Sequence, residues 1–89
     1  MFVEKVVYIK NKLGLHARPA ALLVQEATRF KSKIELEVDD TRVNGKSIMG
    51  VMMLAAAHGS KVTIIAEGDD AEAAVEKVKA LIDSRFDEE

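Results

Sequence analysis

Leu13-Gly14-Leu15-His16-Ala17-Arg18-Pro19-Ala20 sets a glycine, a histidine, an arginine and a proline just ahead of an alanine-rich amphipathic segment. Proline is favoured in the first turn of a helix, where its missing N–H would have no partner, so Pro19 marks a helix starting at about Ala17. His16 then falls at or next to the N-cap. The first N–H groups of a helix point outward unpaired, and the macrodipole adds partial positive charge there, which favours an anion. A neutral imidazole in such a place is a good nucleophile. The Arg18 guanidinium, two residues on, offers a fork suited to phosphate oxygens. Gly14 permits close backbone approach or a positive φ. A histidine near a helix start is more often a cap or a surface residue, but here each neighbour has its own reason to sit beside a phosphorylated imidazole. The combination implies a histidine suited to holding a phosphoryl group.

The flanking sequence alternates between two periods. Residues 3–10 are rich in valine, isoleucine and tyrosine, with Val7 and Ile9 on one face and Val6 and Tyr8 on the other, which predicts a strand followed by a loop over residues 11–14. From Ala17, the residues Ala20, Leu23, Val24 and Ala27 recur at helical spacing to about Phe30, leaving Gln25, Glu26 and Arg29 on the wet side. Residues 33–38 alternate strictly, Asp39-Asp40 makes a hairpin turn, and residues 41–43 return as a short strand. Ser47 is a preferred N-cap, and the apolar run over residues 48–57 predicts a second helix, closed by Gly59 as a C-cap. Residues 61–67 form a further strand. Gly68-Asp69-Asp70 then caps a last helix whose stripe is Ala71, Val75, Val78, Ile82 and Phe86. Asp87-Glu88-Glu89 reads as a frayed acidic tail. The order β-α-β-β-α-β-α, with one apolar face per strand and one stripe per helix, predicts a single two-layer α+β domain over residues 1–89.

Composition narrows the function classes. The chain has 89 residues, 48% hydrophobic and 31% charged, with aromatics at 4%, so its core must be aliphatic. It contains no cysteine, which excludes disulfides and thiolate metal sites and fits a cytoplasmic setting. Neither a signal peptide nor a membrane span is expected. A net charge of −2 argues against nucleic-acid binding. Residues 1–46 hold nine Lys/Arg against six Asp/Glu, whereas residues 47–89 hold four against nine. A partner docking over the basic half, where His16 lies, is expected to present an acidic surface. Two histidines without motif spacing make no metal site, and His58 is expected to be exposed or structural. Asn44-Gly45-Lys46-Ser47 resembles the end of a P-loop, but Asp40 stands where that loop needs its first glycine.

Gly14-Leu15-His16-Ala17-Arg18-Pro19-Ala20 resembles the active-site signature of the HPr family, the histidine-containing phosphocarriers of the bacterial phosphoenolpyruvate:sugar phosphotransferase system. The likeness extends to the stretch over residues 44–52, to Ala66-Glu67-Gly68-Asp69-Asp70, and to chain length and element order. It implies an open-faced β-sandwich, a four-stranded antiparallel sheet covered on one side by three helices. It further implies that His16 accepts a phosphoryl group at Nδ1 from phosphorylated enzyme I and passes it to enzyme IIA domains of sugar permeases, with Arg18 contacting the group. The chain would act as a stoichiometric carrier rather than an enzyme, with no cofactor. Leu13 stands where members commonly carry Asn, Ser or Thr.

The context Ser47-Ile48-Met49-Gly50-Val51-Met52 is similar to HPr of the Gram-positive type. There, the corresponding serine is phosphorylated by HPr kinase/phosphorylase, and the modified protein is a corepressor with the catabolite control protein. A helix apolar all round cannot bury every side on a sheet, so some of Ile48, Met49, Met52 and Met53 should be exposed. By resemblance, Ile48, Met49 and Met52 match the family's docking patch, beside Ala21 and Leu22, while Val51 and Leu54 are core candidates. Lys31 and Lys33 are expected to be solvated. A monomer is the default for a relay that meets its partners one at a time. Two alternatives accompany the carrier: a purely regulatory module acting through phosphorylated Ser47, and a carrier of the nitrogen-regulatory branch of the same system.

Overall fold

Every second residue of Lys61–Glu67 from Val62 onward is buried, and so are Ile34 and Leu36 of Lys33–Val38 and Val7 and Ile9 at the N-terminus. These apolar faces combine into one sheet. The computed structural model describes residues 1–88. Its elements are β1 (Phe2–Tyr8), α1 (Ala17–Thr28), β2 (Lys33–Val38), β3 (Thr41–Asn44), α2 (Ile48–Met53), β4 (Lys61–Glu67) and α3 (Ala71–Asp83). The strands pair antiparallel in the order β1-β4-β2-β3, with Lys5 opposite Ile64, and Ile64 opposite Leu36. The expected α+β architecture is what the chain adopts.

The helices lie on the face that carries Val7, Leu36, Val62 and Ile64. Ala20, Leu23 and Ala27 of α1 and Ala71, Ala74, Val75, Val78 and Ile82 of α3 fill the space between the layers. Burying each larger aliphatic side chain here is worth about 1.5–3 kcal/mol, and small alanines let the helices approach. The opposite face is open: Val6 and Tyr8 are exposed. Ile65 is buried even so, because it sits in register between Glu4 and Glu35, and Arg42 reaches across to Glu35 and Glu37.

Two sequence expectations need correction. The second helix stops at Met53 and does not continue to Ala57: Leu54 is its C-cap, Ala55 turns left-handed at φ 51°, and residues 55–57 form a loop. Gly59, at φ 87°, belongs to the turn into β4, where its N–H donates to Ile9. Asp70 stands at the N-cap of α3 but makes no cap hydrogen bond. Its carboxylate instead accepts from the Lys31 and Ser32 N–H groups, each at 2.9 Å, and from the Ser32 hydroxyl. Asp70 thus fastens the α1–β2 turn to the start of α3.

The Ser32 hydroxyl, followed by the Lys31 N–H, holds the Asp70 carboxyl down at about 2. Since the folded value lies below the unfolded one of about 4, this bond network stabilises the fold above that pH and is lost as pH falls toward 2. Denaturation of Asp70→Asn followed across this window should show a shallower loss of stability below pH 4 than the parent chain.

Candidate functional site

Pro19 is buried in the first turn of α1, as the sequence predicts, and His16 is the N-cap with extended backbone (φ −75°, ψ −172°). The His16 side chain makes no cap hydrogen bond, so the opening N–H groups of α1 stay available, and the first intrahelical bond runs from Ala20 N–H to His16 O at 2.9 Å. Leu15 is buried, and its N–H donates to Ala56 O at 2.9 Å. Gly14 makes that approach possible. It has φ 68°, and a Cβ there would lie 2.3 Å from Ala56 O.

The ring of His16 is about one-third exposed. Its Nε2 lies 2.9 Å from Glu88 Oε1. The other carboxylate oxygen, Oε2, accepts from Arg18 Nη1 at 2.8 Å, and the same Nη1 donates to Phe86 O at 2.9 Å. Asn11 completes the cluster: its Nδ2 donates to Gly14 O at 2.8 Å and to Glu88 Oε1 at 2.9 Å. Two acceptors on one atom fix the amide's orientation, since only NH₂ can serve both. Asn11 is fully buried, and its Oδ1 has no partner among the described residues. The hydrogen bonds from His16 and then Asn11 hold the Glu88 carboxyl below the usual range, so it is ionised at neutral pH and can only accept. The proton in the contact with His16 therefore sits on Nε2.

The sequence reading missed two members of this cluster. Glu88 was expected in a frayed tail, yet residues 85–88 are folded against the site: Phe86 is fully buried, and a tight turn over Arg85–Asp87 brings Glu88 back over α1. Glu89 lies outside the described residues. Asn11 looked like an ordinary loop residue. No local motif marks either, although the apolar Phe86 four residues after Ile82 hinted that the chain stays docked.

Beside His16, an apolar hollow of about 290 Å³ is lined by Leu13, Leu15, Met52 and residues 55–57. Leu13, Ile48, Met49, Met52 and Met53 are exposed, Ala21 and Leu22 are half-buried, and Val51 and Leu54 lie in the core as expected. Ser47 caps α2, its Oγ accepting from Gly50 N–H at 3.1 Å. His58 is exposed, as are Lys31 and Lys33. Among the described residues, no group of three or more His, Cys, Asp or Glu could hold a metal ion.

The family model described as "PTS HPr component phosphorylation site" matches residues 3–84. The chain is 52% identical to the phosphocarrier protein HPr of Treponema pallidum, over 98% of this chain and 99% of that protein. A crystal structure of HPr from Thermoanaerobacter tengcongensis superposes with a TM-score of 0.94 at 53% identity, covering 98% of both chains. The solution structure of Crh, the Bacillus subtilis catabolite repression HPr, covers 90% of this chain and 95% of its own, with a TM-score of 0.68 and 52% identity. With this fold, this signature and these relatives, the chain belongs to the HPr family of phosphocarriers of the phosphotransferase system.

Removing the Asn11 amide group should loosen this corner. Asn11→Asp would set a carboxylate against Gly14 O and Glu88, three acceptors facing one another, and should cost about 1–3 kcal/mol in urea unfolding. Gly14→Ala should be at least as damaging, because a left-handed backbone at a non-glycine residue alone costs on the order of 1–3 kcal/mol.

Proposed function

We propose that His16 accepts a phosphoryl group at Nδ1 from phosphorylated enzyme I and donates it to enzyme IIA domains, the chain serving as a monomeric cytoplasmic carrier. The observation that carries this reading is the pairing of His16 Nε2 with Glu88 beside Arg18, at the open N-terminus of α1. With the proton held on Nε2, the lone pair lies on Nδ1. The N–P bond forms there as the donor's bond to phosphorus breaks, and the donor keeps that electron pair. Phosphoryl oxygens placed at Nδ1 would meet the free N–H groups and positive dipole end of α1, and Arg18 supplies a cation. Both Arg18 hydrogen bonds use Nη1, which leaves Nη2 and Nε–H for the phosphoryl group among the described residues.

Docking falls to the apolar surface beside the ring. Ile48, Met49 and Met52, with Leu22 and Ala21, would take the partner, and flexible methionine suits a face that several unrelated proteins share. Leu13 joins them as an apolar wall of the hollow next to His16.

Ser47 supports a second, compatible reading: regulation by HPr kinase/phosphorylase, with the serine-phosphorylated chain a corepressor of the catabolite control protein. Its hydroxyl sits at an N-cap, where a phosphate is tolerated by the dipole. The added charge of about −1.5 to −2 would stand on the docking face and repel partners recruited there. The likeness to a catabolite repression HPr favours this role, whereas the presence of His16 and Arg18 favours the carrier over a purely regulatory module. The Ser47-Ile48-Met49 context weighs against the nitrogen-regulatory branch.

Incubation with phosphoenolpyruvate and purified enzyme I should give an acid-labile, alkali-stable phosphate in the parent chain and none in His16→Ala, with the fold retained. Labelling of His16→Ala would overturn the assignment. Ser47→Asp should accept phosphoryl groups several-fold more slowly, whereas Ser47→Ala should keep the rate and lose about 1 kcal/mol of stability with its cap. An unchanged rate in Ser47→Asp would leave Ser47 a cap alone.

A further inference from the structure

Three consecutive residues after α3, Arg85, Phe86 and Asp87, take φ of 61°, 53° and 58°. Left-handed backbone is unfavourable at each of these non-glycine residues, and it persists only where the surroundings over-determine it. Here, the buried Phe86 ring anchors the turn, and Arg18 donates to the Phe86 carbonyl. The outcome is a carboxylate delivered to the imidazole from the far end of the chain, with its side chain only 20% exposed. Each oxygen is committed: Oε1 to His16 Nε2 and Asn11 Nδ2, Oε2 to Arg18 Nη1.

We infer that Glu88 is a positioning residue for the phosphoryl acceptor, holding the His16 proton on Nε2 and serving as counterion to the ring when Nδ1 is phosphorylated. The inference rests on the carrier reading above. When the neutral ring attacks through Nδ1, the N–P bond forms, the donor's bond to phosphorus breaks with its electrons leaving on the donor, and the Nε2 proton stays in place. The ring thereby becomes cationic. A fixed carboxylate at Nε2–H stabilises that charge as it develops, with no reorganisation at the moment of transfer. The same arrangement, a buried or half-buried acid behind an imidazole, orients the ring and selects its tautomer in other nucleophilic sites. Glu88 does not fill the phosphoryl seat, because it lies on the Nε2 edge of the ring and engages only one nitrogen of Arg18.

Imidazole ¹⁵N spectra and single-turnover phosphorylation by phospho-enzyme I, measured on the parent chain, Glu88→Ala and Glu88→Gln, test this. At a pH where the ring is neutral, the parent should show the Nε2–H form, and Glu88→Ala should gain Nδ1–H form. Acceptance by Glu88→Ala should slow roughly fivefold, the loss of a charge-assisted hydrogen bond that solvent reaches only in part. Glu88→Gln keeps an acceptor oxygen without the charge, so it should restore the tautomer but not the rate. A merely structural tail would leave both readouts unchanged, and faster acceptance in Glu88→Ala would make Glu88 a competing anion; either result overturns the inference. Failure of the parent chain to take label would instead overturn the carrier reading, while the ¹⁵N comparison would still decide what Glu88 does to the ring.

Discussion

The hydrogen bond from the Leu15 N–H to the Ala56 carbonyl is the constraint on which the rest of this surface depends. It ties the loop that presents His16 to the segment after α2, and so sets a nucleophilic side chain beside an apolar face. Two local departures make it possible. Gly14 must be left-handed and lack a Cβ, since that atom would overlap the Ala56 oxygen. The second helix must also end early. Had it run on to residue 57, the Ala56 carbonyl would have pointed along the helix axis, and Leu15, buried as it is, would have kept an unpaired N–H. The left-handed Ala55 turns that carbonyl toward Leu15.

This explains which parts were legible in the sequence. Strand alternation and the stripes of α1 and α3 gave the layers correctly, because each is a periodic pattern that burial alone enforces. Pro19 and Ser47 announced helix starts through chemistry confined to a few neighbouring residues. The end of α2 was not legible, because residues 54–57 are good helix formers whose fate is decided by a partner forty residues upstream. Asp70 shows the same limit. Its position at an N-cap was plain, but its hydrogen bonds go to Lys31 and Ser32 across the domain. Asn11 and Glu88 were hidden for this reason too: their partners are distant in sequence, and their residue types suit a loop and a tail equally well.

The charge distribution takes on a different meaning once the chain is folded. The basic first half, where His16 lies, leads to the expectation of a partner with an acidic surface. The fold returns an acidic residue from the second half to this region, where Glu88 bridges the His16 ring and Arg18. The Arg18 guanidinium and the Glu88 carboxylate thus offset one another beside the imidazole. That suits a carrier. A site that bound a dianion very tightly would accept a phosphoryl group readily and then retain it, because stabilisation common to the bound state helps loading at the expense of delivery.

A relay needs intermediate free energy on the histidine, and the geometry bears on both directions of transfer. Rigid elements contribute the dipole and the positioned ring, and these do not change with the partner. On the proposed carrier reading, Ile48, Met49 and Met52 would add recognition through exposed, adaptable side chains that leave the chemistry alone. Separating the two tasks onto α1 and α2 would let successive partners compete for the same face without altering the nucleophile. On the proposed regulatory reading, a modification of the Ser47 hydroxyl would act on docking and not on the ring, since Ser47 stands at the N-cap of α2 and His16 at that of α1. Control over partner choice and control over phosphoryl affinity would thus be held by different residues, joined through the backbone contact at Leu15 and Ala56.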